Sequence, residues 1–314
     1  MTRDLPTPAQ PLRVGTRGSP LALAQANETR ELLAHAWDLP FEAFEVVIIR
    51  TTGDRVIDRP LSQIGGKGLF TKEIEESLSA GGIDIAVHSM KDMPVEQPAG
   101  LVLDGYLERE DPRDAFVSLA HAAIPDLPEG TVVGTSSLRR KSQILARRPD
   151  LRVVEFRGNV QTRLQKLEDK VAEATFLAMA GLNRLGMSGE VPARAISEDE
   201  MLPAIAQGAI GIERRGADTR VAALLEPIHH EETARRLACE RAFLAALDGS
   251  CQTPIAGLAE IVEGRLRFRG EILRPDGSEV LLESGEAAIA DGAALGHELG
   301  ETLRRIAGPG FFTL

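Results

Sequence analysis

The chain has 314 residues, enough for two or three domains with substantial cores. Lys and Arg number 36 against 47 Asp and Glu, a formal net charge of −11, and aromatic residues make up only 4%. That balance excludes the basic footprint and stacking platforms of a nucleic-acid binder, so any bound anion must be met by local arginine clusters.

Residues 1–12 hold prolines and polar groups but no apolar core of a secretory signal, and no run nears the ~20 apolar residues of a membrane span. A cytoplasmic protein with no membrane partner is expected. Leu12-Arg13-Val14 reads as a strand, Gly15 to Pro20 as a turn, and Leu21 to about Trp37 as a helix, with Ser19 as N-cap and Pro20 in its first position. Such a turn offers unpaired backbone N–H groups to an anion, and Arg17 stands beside it. Phe44 to Ile49 reads as a second strand. Thr51 to Gly68 is long, polar and glycine-containing, without the spacing of a Walker A loop, and a loop this long suits a lid. Phe70, Ile74 and Leu78 mark an amphipathic helix that Gly81-Gly82 ends.

Ile83 to Val87 is short, apolar and β-branched, as a buried strand of an α/β sheet requires. His88, Ser89, Lys91 and Asp92 follow before Pro94, at the strand end where open α/β sheets place their ligands. A carboxylate and an ammonium side by side on an anchored turn make Asp92 the leading acid/base or cation-stabilising group. Leu101 to Leu107 reads as a further strand, and the charged run Arg109 to Asp114 as a crossover between domains.

Thr131-Val132-Val133 begins a second α/β unit, and Gly134 to Ser137 leads into a helix over Leu138 to Arg147. The tripeptide Val-Gly-Thr closes both Val14–Thr16 and Val133–Thr135, a hint of two similar lobes. The strand Val153 to Glu155 leads to Arg157 and a helix capped by Asn159, and Thr175 to Met179 is the next strand. Ala209 to Glu213 rejoins the first lobe. Thr233 to Leu247 is a helix, broken by Asp248 to Pro254. Ile255–Val262, Arg265–Leu273 and Glu279–Glu283 read as a strand meander, and a helix from about Ala293 to Ile306 completes a small α+β domain.

Arg17, Arg139, Arg140, Arg157, Arg163 and Arg184 all fall in or just after strand-to-helix junctions. Each alone is what a solvated surface or a structural ion pair provides. Together, on lobes that face one another, they would converge on one cleft suited to a polycarboxylate, since guanidinium binds carboxylate bidentately. Nucleotide phosphate is the competing ligand, but no phosphate loop supports it. Neither Cys239 nor Cys251 has CxxC or zinc-ligand spacing, so no disulfide framework or metal site is implied. Cys239 lies mid-helix among apolar residues, whereas Cys251 sits in the loop Gly-Ser-Cys-Gln-Thr-Pro, a position for covalent attachment.

Read together, the motifs resemble the porphobilinogen deaminase family. They are Thr16–Ala22, Gly65–Phe70, Asp84–Asp92, Glu110–Phe116, Gly134–Arg140, Arg157–Leu164, Ala180-Gly181-Leu182, Arg184-Leu185-Gly186, Gln207-Gly208-Ala209 and Cys251–Ile255, spread over nearly the whole chain. The resemblance implies an α/β fold of two periplasmic-binding-protein-like lobes with mixed sheets plus a small C-terminal α+β domain. The bounds are 1–108 with 204–228, 109–203, and 229–314. It implies a monomeric transferase that joins four porphobilinogen units into hydroxymethylbilane on a dipyrromethane cofactor, thioether-linked to Cys251. Asp92 would be catalytic. Lys91, Ser137, Arg139, Arg140, Arg163 and Arg184 would bind the cofactor, Arg17, Ser19 and Arg157 the substrate, and Lys67 would belong to a lid over residues 53–68. Two departures stand out: Ser250 where many members have glycine, and Gln63 where some carry lysine. A two-lobed solute binder is the rival reading, and it has no use for a thiol on a third domain.

Overall fold

A computed structural model describes residues 5–55, 68–249 and 253–313. The chain divides into two compact units, residues 1–109 with 209–234 and residues 110–208 with 235–314.

The first unit is built on a five-stranded sheet in the order β2-β1-β3-β10-β4. Its strands are β1 (Leu12–Thr16), β2 (Phe44–Ile48), β3 (Ile85–Ser89), β4 (Leu101–Tyr106) and β10 (Ile210–Arg215). β2, β1 and β3 run parallel, and β10 runs antiparallel to both β3 and β4. Successive β3 residues serve opposite faces, as the pleat demands. Ile85 and Val87 join Leu12, Val14, Ala26 and Leu33 in one core, while Ala86 joins Ile74, Leu78 and Ile83 in another. The first core is covered by the Pro20–Trp37 helix, the second by the Lys72–Ser79 helix. β1 and β3 thus end side by side, each buried up to its last residues and then passing into polar sequence.

The second unit repeats the pattern. β5 (Asp114–Ser118), β6 (Val132–Gly134), β7 (Arg152–Val154), β8 (Ala174–Ala178) and β9 (Ala193–Ala195) form a sheet in the order β7-β6-β8-β5-β9. Its first three strands are parallel, and β5 runs antiparallel to β8 and β9. The repeated Val-Gly-Thr sits at the end of β1 and of β6, corresponding strands of the two sheets, so that hint of likeness holds. β5 begins at Asp114, the last residue of the expected charged crossover, and is not among the strands expected from the sequence. Its five residues are all buried, Asp114 included.

The same unit holds an antiparallel meander of β11 (Ile255–Val262), β12 (Arg265–Leu273) and β13 (Val280–Ala288). β13 runs five residues beyond the expected Glu283. The Glu231–Ala246 and Gly292–Ala307 helices meet closely, with Gly296 set against the Cys239 carbonyl. Phe243 meets Phe268 edge-on at 4.9 Å. Cys239 is buried, and desolvation followed by Glu240 pushes its thiol up to about 12, which makes it an inert core residue. No helix among the described residues is long and apolar enough to cross a membrane.

Candidate active site

In the first unit the ends of β1 and β3 frame a solvent-open pocket. Arg17, Ser19, Phe70, His88, Lys91 and Asp92 line it. Four of the residues singled out from the sequence are therefore brought together. Ser19 caps the Pro20–Trp37 helix by accepting from Ala22 N (3.3 Å), and the adjoining N–H groups make that end favourable for an anion. Arg17 is held by Asp54, whose carboxylate also accepts from Thr51 Oγ1 (2.8 Å), and its guanidinium lies 4.1 Å from the Phe70 ring centre. Burial works against the charge on Asp54, but the hydrogen bonds from Arg17 and Thr51 outweigh it and hold its carboxyl below the usual range.

Lys91 and Asp92 belong to a single 3₁₀ turn, Met90–Asp92, that continues β3 directly. Its position is set by the strand ladder: Ser89 pairs with Ile210, and Met90 N donates to Ala209 O (3.0 Å). Gln25 and Ser89 exchange two hydrogen bonds, at 2.8 and 3.1 Å, from the helix side of the sheet. Among the described residues no hydrogen bond reaches the half-exposed Asp92 carboxylate, which leaves it available to a cation in the pocket.

In the second unit, Ser137 caps the Leu138–Arg147 helix by accepting from Arg140 N (3.4 Å). Arg139 and Arg140 are buried in its first turn, and Asp114 takes both: Oδ2 is 2.7 Å from Arg139 Nη1, and Oδ1 is 2.7 Å from Arg140 Nη2. Gln207 Nε2 also donates to Asp114 (2.9 Å). Arg163 and Arg140 share the Phe176 carbonyl. Desolvation, with Arg140 next, draws Arg163 down to about 10, against a weaker pull from Glu155. Two guanidiniums thus share one buried carboxylate with a third, Arg163, beside Arg140, and the buried Arg139 Nε has no partner among the described residues. This excess of donors fits a carboxylate-bearing group. Arg184 donates to Gly208 O (3.0 Å), and Arg157 lies on the loop between β7 and the Val160–Glu168 helix. Cys251 and Lys67 lie outside the described residues. Sequence reasoning missed Gln25, Asp54 and Asp114, since each is defined by a partner distant along the chain.

Two family models match: the porphobilinogen deaminase dipyrromethane cofactor binding domain over residues 12–223, and the porphobilinogen deaminase C-terminal domain over residues 234–305. The chain belongs to the porphobilinogen deaminase family. It is 65% identical to the porphobilinogen deaminase of Paracoccus denitrificans (strain Pd 1222), covering 98% of both chains. It is 56% identical to the chloroplastic porphobilinogen deaminase of Pisum sativum, over 96% of this chain and 83% of that one. Among solved structures, a Salmonella typhimurium periplasmic binding protein with high arginine specificity aligns with 71% of this chain and 93% of its own. Its identity is 13% and its TM-score 0.39.

Proposed function

We propose that the chain carries out its family's reaction with Asp92 as the catalytic group and with arginine clusters as the grips for carboxylate side arms. It is a transferase that joins four porphobilinogen units head to tail, each with loss of ammonia, and releases the chain by hydrolysis, one water supplying the hydroxyl of hydroxymethylbilane for tetrapyrrole synthesis. The observation that carries the reading is Asp92 in a pocket flanked by Arg17, Lys91 and a capped helix N-terminus.

Loss of ammonia from the aminomethyl arm breaks a C–N bond and leaves positive charge over the pyrrole nitrogen and the methylene carbon. The Asp92 carboxylate stabilises that charge and accepts from pyrrole N–H groups. The proton released when the new C–C bond forms leaves with ammonia as ammonium. Arg17, Ser19 and Arg157 bind the acetate and propionate arms of the substrate. Lys91, Ser137, Arg139, Arg140, Arg163 and Arg184 hold the dipyrromethane, whose terminal ring, when bound, supplies the carbon on which the chain grows. Asp114 keeps the Arg139 and Arg140 forks apart and oriented for that task.

Residues 229–314 form the attachment domain, with a thioether to Cys251 resting on the motif Cys251–Ile255. The protein is cytoplasmic and monomeric, and it binds neither nucleic acid nor membrane. Intact-protein mass spectrometry tests the reading. The purified chain should consume porphobilinogen and carry a dipyrrole adduct that Cys251→Ser lacks. An active protein of unmodified mass overturns the thioether, and a chain inert toward porphobilinogen overturns the activity.

A further inference from the structure

Behind the pocket lies a buried acid–base pair that the chemistry above leaves unused. Glu213, on β10, is fully buried, and its Oε2 lies 3.2 Å from His88 Nε2. Its other oxygen, Oε1, has no hydrogen-bond partner among the described residues. His88 is itself buried, yet it lines the same pocket as Lys91 and Asp92. Strand alternation puts it on the side of β3 covered by the Lys72–Ser79 helix. From that helix Glu75 adds a third titratable group, its carboxyl pushed up by burial first and by Glu213 as well.

Such a pair is a poor device for stability. Taking both groups out of water is costly, and well-packed apolar residues of equal volume often serve stability as well or better. Its location indicates another use. His88 pairs with Gly211 in the last part of the β3–β10 ladder, two residues before the Met90–Asp92 turn. Gly211 leaves space for the Met90 sulfur, which a Cβ there would strike. The strand end is therefore tied on one face by Gln25 to Ser89 and on the other by Glu213 to His88.

We propose that Glu213 and His88 form a positioning dyad. The carboxylate holds the imidazole through Nε2, and the imidazole fixes the strand end that presents Lys91 and Asp92. The dyad governs turnover rather than substrate affinity. This rests on the reading of Asp92 above, and the test separates the two.

Full-length Glu213→Leu, Glu213→Gln and His88→Gln are compared with wild type and Asp92→Asn for kcat, KM and melting temperature. Glu213→Leu fills the volume without an acceptor and leaves the buried imidazole unpaired, so kcat should fall at least about tenfold, by more than any loss in melting temperature explains, since small misplacements of reacting groups cost up to ~100-fold. Glu213→Gln keeps an acceptor for the ring and should retain more turnover than leucine. KM should stay within about twofold in all three dyad variants. Wild-type kcat in Glu213→Leu overturns the dyad, as do kcat losses that merely track losses in melting temperature. If the leucine variant does not fold, wild-type kcat in both Glu213→Gln and His88→Gln overturns it instead. Near-normal turnover in Asp92→Asn removes the catalytic reading and the dyad's purpose together.

Discussion

Asp92 and Arg17 share one pocket but meet different constraints. Arg17 is gripped by Asp54 and backed by Phe70, so its guanidinium is oriented before any ligand arrives. Asp92 is held through the backbone of its turn and not through its carboxylate, so its charge stays available. Removing that charge while keeping the shape should separate catalysis from folding. Asp92→Asn is expected to lower kcat roughly 100- to 1,000-fold, the scale of losing one preorganised electrostatic group. Its circular dichroism and melting temperature should stay near wild type, because the half-exposed side chain holds nothing else in place. Near-normal porphobilinogen consumption by this variant would remove Asp92 from the chemistry.

At the scale of elements, local signals were readable and long-range ones were not. The Ser19, Ser137 and Asn159 caps set where three helices begin, and all of that information lies within a few residues. Ile83 to Asp92 could be read as a buried strand passing into a polar turn because apolar residues give way to polar ones at His88. β5 was not legible. Its first residue is a carboxylate following a charged run, and only arginines 25 and 26 residues later make its burial tolerable. For the same reason, placement alone located Arg139 and Arg140 at a helix start but gave no sign of Asp114 between them. The Glu213–His88 pair spans 125 residues and had no local signature. Gly134 shows how tightly one strand end is built, since a Cβ there would strike the buried Phe156 ring. Gly134→Ala should cost about 1–3 kcal/mol by urea unfolding, the usual scale of overpacking. Adding Phe156→Leu should recover part of that loss. A double variant whose loss equals the sum of the two single losses would show that the two residues do not compete for space.

Over the whole molecule the charge is acidic in sum, yet one buried cluster sets two arginines against a single carboxylate. The net charge of −11 comes from 47 acidic residues against 36 basic ones, yet Arg139 and Arg140 are buried with Asp114 between them. Burial works against the charge on Asp114, but the two arginines outweigh it and hold its carboxyl far below the ordinary 3.8. A carboxyl whose native pKa is depressed stabilises the fold fully above its unfolded value and loses that contribution as pH falls toward the native one. Wild type and Asp114→Asn, compared by urea unfolding from pH 7 to pH 2, isolate this contribution, because the remaining carboxylates titrate in both. At pH 7 the variant should be less stable by roughly 3–5 kcal/mol, the cost of leaving buried charge without its partner. The gap should stay flat down to about pH 4 and then narrow by about 1.4 kcal/mol per pH unit as unfolded chains take up the proton that native Asp114 refuses. A gap that narrows instead between pH 7 and pH 5 would mean that Asp114 is not the charge balancing the two arginines.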